Sequence, residues 1–126
     1  MANKLAVLAR YKFCICYENG ILNGWLSEKI FDCFFAGCVP IYLGAPNVGD
    51  YIPAGTFIDR RDFADYDQLY DLISTMDQAC YEEYQHNIAA FLKSEDYRKF
   101  TRRSFACNMV QVITAMGKRT FDPKMV

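Results

Sequence analysis

The stretch that decides the fold reads Tyr11-Lys12-Phe13-Cys14-Ile15-Cys16-Tyr17, then Ser27-Glu28-Lys29-Ile30-Phe31-Asp32-Cys33-Phe34-Phe35-Ala36-Gly37, then Val39-Pro40-Ile41-Tyr42-Leu43. The first run is rich in β-prone residues and stops at Glu18-Asn19-Gly20, where asparagine and glycine favour a turn, so it predicts a strand. In the second run Ile30, Phe31, Phe34, Phe35 and Cys38 recur at helical spacing. Ser27 is placed to accept from the first-turn amides, and Gly37 to close the helix. The third run is short and apolar, with its proline tolerated near the start, and predicts another strand. Phe31, Phe34 and Phe35 are expected in the core, as are Cys14 and Cys16, which share one face of a strand.

Working outward, Gly44 to Pro53 carries two glycines and two prolines and reads as a loop. Thr56-Phe57-Ile58 is a third strand candidate, followed by a helix that Asp62 can cap, with Phe63, Tyr66, Leu69, Tyr70 and Ile73 as its apolar stripe. Two more helices are expected, about Gln78 to Lys93 and about Glu95 to Met116. Tyr81, Tyr84, Ile88 and Phe91 should face inward from the first, and Phe105, Met109, Val112 and Ile113 from the second. Alternating strands and helices produce a parallel sheet with right-handed crossovers, so the predicted class is α/β with a small sheet flanked by helices. The length of 126 residues fits a single domain over residues 1–126.

Composition narrows the function. Hydrophobic residues make up 52% of the chain and charged residues 23%, which argues against disorder. Fourteen basic residues against fifteen acidic ones leave no general attraction for nucleic acid, so any anion site must be local. No signal peptide or membrane-spanning run is read in the chain, and a soluble, cytoplasmic protein is expected, with a membrane-anchored or Golgi parent left open. The six cysteines match no zinc spacing and are expected as buried reduced thiols in a reducing compartment. His86 has no metal-ligand partner at suitable spacing, so it is expected to serve surface or packing, and no metal or other cofactor is expected. Arg98, Lys99, Arg102 and Arg103 are expected to form one basic side of the last helix.

In sheets of this kind ligands sit beyond the carboxyl ends of the strands, which singles out Glu18 to Lys29 and Gly44 to Tyr51. Lys29 is the sharpest anomaly there, because a cation in the first turn of a helix opposes the macrodipole at a cost of about 0.3 to 1 kcal/mol. A phosphate at the helix N-terminus would use the free amides, the dipole and the ammonium together. Glu28 beside it can accept from ribose hydroxyls. The competing reading makes Glu28 and Lys29 the solvated face of an amphipathic helix.

Glu18-Asn19, Trp25-Leu26-Ser27-Glu28-Lys29, Ala36-Gly37-Cys38-Val39-Pro40-Ile41-Tyr42-Leu43-Gly44 and Asn47, continued by Thr56-Phe57-Ile58 and Asp62-Phe63, resemble the signature of the α-1,3-fucosyltransferases, glycosyltransferase family ten. The resemblance implies a Rossmann-like domain, the C-terminal half of a GT-B enzyme, that holds GDP-fucose as donor for inverting transfer of fucose to a glycan hydroxyl. It implies donor-binding roles for Asn19, Trp25, Glu28 and Lys29: Glu28 to ribose, Lys29 to the departing diphosphate, and Asn19 with Trp25 on the phosphate and sugar side. This chain departs from the family's usual pattern at Gly20, Trp25 and Ser27. Serine keeps a capping oxygen, whereas tryptophan replaces a tyrosine hydroxyl with an indole N–H.

The family's general base and a pyrophosphate-binding arginine come from sequence upstream, so the chain is expected to be incomplete alone, with the glycan acceptor bound by an N-terminal domain it lacks. Glu18 is not assigned as that base; a structural or loop-orienting role is equally open to it. Two alternatives stand beside this reading: a noncatalytic nucleotide-sugar or protein-binding module of the same fold, and the same half-fold serving another sugar nucleotide. The face left for a missing half also predicts homo-oligomers.

Overall fold

A computed structural model describes residues 3–117. By its internal contacts the chain falls into two compact units, Met1–Lys93 and Ser94–Val126. The first contains α1 (Lys4–Leu8), β1 (Phe13–Tyr17), α2 (Glu28–Ala36), β2 (Val39–Leu43), β3 (Ile58–Asp59), α3 (Tyr66–Thr75) and α4 (Gln78–Lys93), with 3-10 turns at Val48–Asp50 and Arg60–Asp62. The second contains α5 (Glu95–Arg98) and α6 (Arg102–Gly117).

The three strands form a parallel sheet in the order β1-β2-β3, paired Phe13↔Val39 through Tyr17↔Leu43 and Ile41↔Ile58. The class is the predicted α/β, a Rossmann-like parallel sheet flanked by helices. The α2 helix that crosses between β1 and β2 starts and ends where its caps dictate. Ser27 accepts from the Lys29 amide, and Gly37 takes the left-handed conformation at φ 72° while the Cys38 amide reaches back to the Cys33 carbonyl at 3.0 Å. Pro40 costs β2 little. The Val39 amide bonds Lys12 on the β1 side, so by alternation the Pro40 nitrogen faces β3, whose pairing begins only at Ile41.

Val39 to Tyr42 are buried on both faces of the sheet, as a central parallel strand requires. Ile30, Cys33 and Phe34 of α2, Leu69 of α3, and Tyr81, Ile88 and Phe91 of α4 complete the core. Edge-to-face rings tie it together, Phe34 to Phe91 at 6.0 Å and Phe13 to Tyr81 at 5.7 Å. Cys16, Cys33 and Cys38 are buried free thiols as expected, whereas Cys14 is half-buried and Cys80 and Cys107 are exposed. Burial pushes the Cys14 thiol up to about 11, away from the reactive thiolate.

Several local expectations are corrected. The third strand pairs at Ile58–Asp59 and not over residues 56–58, because the Thr56 hydroxyl donates to the Pro53 carbonyl at 2.7 Å and holds that segment in a turn. The cap of α3 is Asp65, which accepts from the Gln68 amide at 2.9 Å while the Gln68 side chain accepts from the Ala64 amide at 3.1 Å. Asp62 lies in the preceding 3-10 turn. Of the expected α3 stripe only Leu69 is buried, and Tyr66 and Tyr70 are exposed. Phe35 is exposed as well, one step around α2 from the buried Phe34.

The final helix is broken. Thr101 accepts from the Ser104 amide near the start of α6, separating it from α5. Phe105, Met109, Val112 and Ile113 share the expected stripe but are exposed. The break also divides the basic quartet. Arg98 pairs with Glu95 and Lys99 with Asp96, while Arg102 and Arg103 open α6. His86 is exposed on α4, in the surface role expected of it. No helix among the described residues is long and apolar enough to cross a membrane.

Candidate functional site at the carboxyl ends of the strands

The end of β1, the start of α2 and the loop after β2 converge on one carboxylate. Glu18 continues the β1 ladder, its amide donating to the Leu43 carbonyl at 2.8 Å, which carries its side chain toward the N-terminus of α2. There Oε1 accepts from the Ser27 amide at 2.8 Å, and the Ser27 hydroxyl lies 2.9 Å from Oε1 and 2.7 Å from Oε2. The Lys29 ammonium donates to Oε2 at 3.3 Å, to the Tyr17 carbonyl at 3.1 Å and to Asn19 Oδ1 at 3.1 Å. The side chain of Glu18 is 0% exposed and that of Lys29 29%. Burial pushes the Glu18 carboxyl up, but the bonds from Ser27 and Lys29 outweigh it and hold the group below the ordinary range.

This arrangement resolves the anomaly of a cation in the first turn. The compensating negative charge is the protein's own Glu18, placed where a helix N-terminus favours an anion. The Lys29 ammonium is therefore fixed at the carboxyl edge of the sheet by Glu18 and keeps part of its surface exposed.

Of the residues singled out in the sequence, Asn19 and Lys29 are in direct contact. Glu28 opens α2 beside them and is exposed. Trp25 is 51% exposed, and its carbonyl accepts from the Tyr42 hydroxyl at 3.5 Å. The structure thus gathers Asn19, Glu28 and Lys29 at one helix end, and leaves the indole of Trp25 on the loop leading into it. No group of three or more His, Cys, Asp or Glu among the described residues is placed to hold a metal ion.

Residues the sequence reading left without a role complete the site. Asn47 accepts from the Gly24 amide at 2.8 Å and donates to Asp50 at 3.0 Å, stapling the two candidate loops together. Arg61 forks onto Asp59 and also donates to the Pro46 carbonyl at 3.1 Å, tying the end of β3 to the same loop. Arg60 lies over the Tyr66 ring at 4.4 Å, and the Tyr66 hydroxyl is 3.5 Å from that of Tyr17. Burial first, then that tyrosine neighbour, pushes the Tyr17 hydroxyl up to about 12. A pair of arginines directly after a short strand, at its carboxyl end, was the available signal.

The fixed cation, the capped helix N-terminus and the two stapled loops lie at the carboxyl edge of the parallel sheet, where ligands bind in open α/β folds. The model of the C-terminal region of glycosyltransferase family 10 (fucosyltransferase) matches residues 2–124, and the chain belongs to that family. It is 38% identical over 71 residues to an alpha-(1,3)-fucosyltransferase of Helicobacter pylori, a match covering 56% of this chain and 15% of that protein. It is 34% identical over 79 residues to an alpha-(1,4)-fucosyltransferase of Arabidopsis thaliana, covering 61% and 20%. A crystal structure of an alpha1,3-fucosyltransferase with GDP-fucose superposes with a TM-score of 0.62 at 32% identity, over 68% of this chain and 26% of the other. The chain thus spans between 15% and 26% of these relatives.

Proposed function

We propose that residues 1–126 act as the donor-binding half of a GT-B fucosyltransferase, holding GDP-fucose for inverting transfer of L-fucose to a glycan hydroxyl in α-1,3 linkage. The observation that carries this reading is the Lys29 ammonium, fixed beside Asn19 and Glu28 at the N-terminus of α2 in a chain of this family. In the reaction the acceptor oxygen forms a bond to the anomeric carbon as the bond from that carbon to the diphosphate breaks. The acceptor proton passes to a base, and the departing GDP gains charge. Lys29 stabilises that charge, so the reading assigns the task to a protein group and not to a metal. Glu28 holds the ribose hydroxyls. Asn19, the exposed partner of Lys29, gives up its place on the ammonium to a phosphate oxygen, and Trp25 lines the sugar side.

The base and a second cation for the diphosphate belong to an acceptor-binding half outside this chain, so the chain alone binds donor without transferring it. Calorimetric titration with GDP, GDP-fucose, GDP-mannose and UDP tests this. Guanine nucleotides should bind and UDP should not. A charge-assisted contact contributes about 1.5 to 3 kcal/mol, so Lys29→Ala should weaken GDP binding about ten- to 150-fold. Unchanged affinity in a Lys29→Ala chain that retains its circular dichroism would sink the assignment.

A further inference from the structure

We propose that Glu18 is a positioning residue of the donor site, fixing the direction of the Lys29 ammonium and acting on the donor only through it. The proposal rests on the donor reading above. A carboxylate with no exposed side-chain surface is costly to bury and persists only when its oxygens are bonded. Here every partner belongs to α2 or its cap: the Ser27 amide, the Ser27 hydroxyl and Lys29. Gly44 keeps the space for it, since a Cβ at position 44 would stand 2.6 Å from Glu18 Cγ. With its oxygens engaged and no surface open to an acceptor hydroxyl, Glu18 is not a general base.

An ammonium has three hydrogens, and the three acceptors are the Tyr17 carbonyl, Glu18 Oε2 and Asn19 Oδ1. The contacts to Tyr17 and Glu18 are half-buried and the contact to Asn19 is exposed, so an incoming anion can replace Asn19 alone. Glu18 and the Tyr17 carbonyl then hold the ammonium from behind. The long lysine side chain loses its rotamer freedom on folding, before any ligand arrives. The carboxylate also subtracts from the positive charge the ligand feels. Charge balance alone therefore predicts tighter anion binding when Glu18 is neutralised, and positioning predicts weaker binding.

Glu18→Gln separates the two. The Ser27 amide requires an acceptor, so the glutamine oxygen takes the Oε1 place and its NH2 group the Oε2 place, facing the Lys29 ammonium donor to donor. The cap is kept, and Lys29 loses the Glu18 acceptor while keeping the Tyr17 carbonyl and Asn19. Calorimetry on the full chain should show GDP affinity about five- to thirtyfold lower in Glu18→Gln. In a Lys29→Ala background the same change should produce no further loss, which a merely structural role would not reproduce. Equal or tighter GDP binding by Glu18→Gln, or additive losses, overturns the proposal. NMR of the unliganded chain supplies a readout free of the ligand. The Lys29 ammonium should exchange slowly in the wild type and fast in Glu18→Gln, while the Ser27 amide stays protected in both. If the wild-type chain leaves GDP unbound, the donor reading falls, and the ammonium signal alone then decides: unchanged Lys29 exchange in Glu18→Gln overturns the positioning role.

Discussion

Gly44→Ala is the most exacting perturbation of this site, because it adds one methyl group where the structure has no room. A Cβ at that position would collide with the Tyr42 hydroxyl end and stand 2.6 Å from Glu18 Cγ, closer than real Cβ atoms come to any neighbour. Neither neighbour can yield cheaply. Tyr42 is fully buried, with its hydroxyl accepting from the Ala45 amide at 3.0 Å, and Glu18 is held by Ser27 and Lys29. Gly44 has no positive φ, so the effect is steric and not conformational. Overpacking of this kind costs about 1 to 3 kcal/mol. In a unit of this size that is a fall in melting temperature of about 4 to 24 °C. Thermal unfolding followed by circular dichroism should show it, and GDP affinity should fall together with stability because the displaced side chains hold Lys29. Gly49→Ala is the control, since a Cβ there meets nothing within 4 Å. A Gly44→Ala chain that melts within about 1 °C of the wild type would refute the packing argument.

The remaining predictions concern pH and the end of α2. Glu18 and Asp59 are both pushed up by burial and more strongly held down, Glu18 by Ser27 and Lys29 and Asp59 by Arg61. Their folded values lie below the unfolded ones, so the stability they contribute is present above the ordinary carboxylate range near pH 4 and is lost as pH falls through the folded values. Urea unfolding at a series of acidic pH values should show this loss, with a shallower dependence in Glu18→Gln; parallel curves for the two proteins would remove Glu18 from the account. Gly37→Ala places a Cβ at φ 72°, where the only near neighbour is the Gln85 amide nitrogen at 4.0 Å, so the cost is backbone strain of about 1 to 2 kcal/mol. Chemical unfolding should report a lower midpoint with an unchanged slope, and a midpoint equal to the wild type would count against a left-handed cap.

What the sequence by itself determined is local. The strand expected at Tyr11 to Tyr17, the Ser27 and Gly37 caps and the strand at Val39 to Leu43 follow from the chemistry of neighbouring residues, and the structure keeps them, with the first strand starting at Phe13. Even the corrected cap of α3 was legible, since Asp65 is followed three residues later by Gln68 and Asp62 is not. Periodicity stated that Phe35, Tyr70 and Phe105 belong to apolar stripes, but not whether another element covers those stripes, and all three are exposed. At the site, the oddity of Lys29 could be read from its place in the helix, and its answer could not. Glu18 lies eleven residues away at the end of a strand, and only the parallel register brings that strand end against the first turn of α2. Asn47 reaching Gly24 and Arg61 reaching Pro46 are decided the same way. Caps and turns depend on contacts a few residues long, whereas the geometry of a ligand site depends on which ends of separate elements the sheet places side by side.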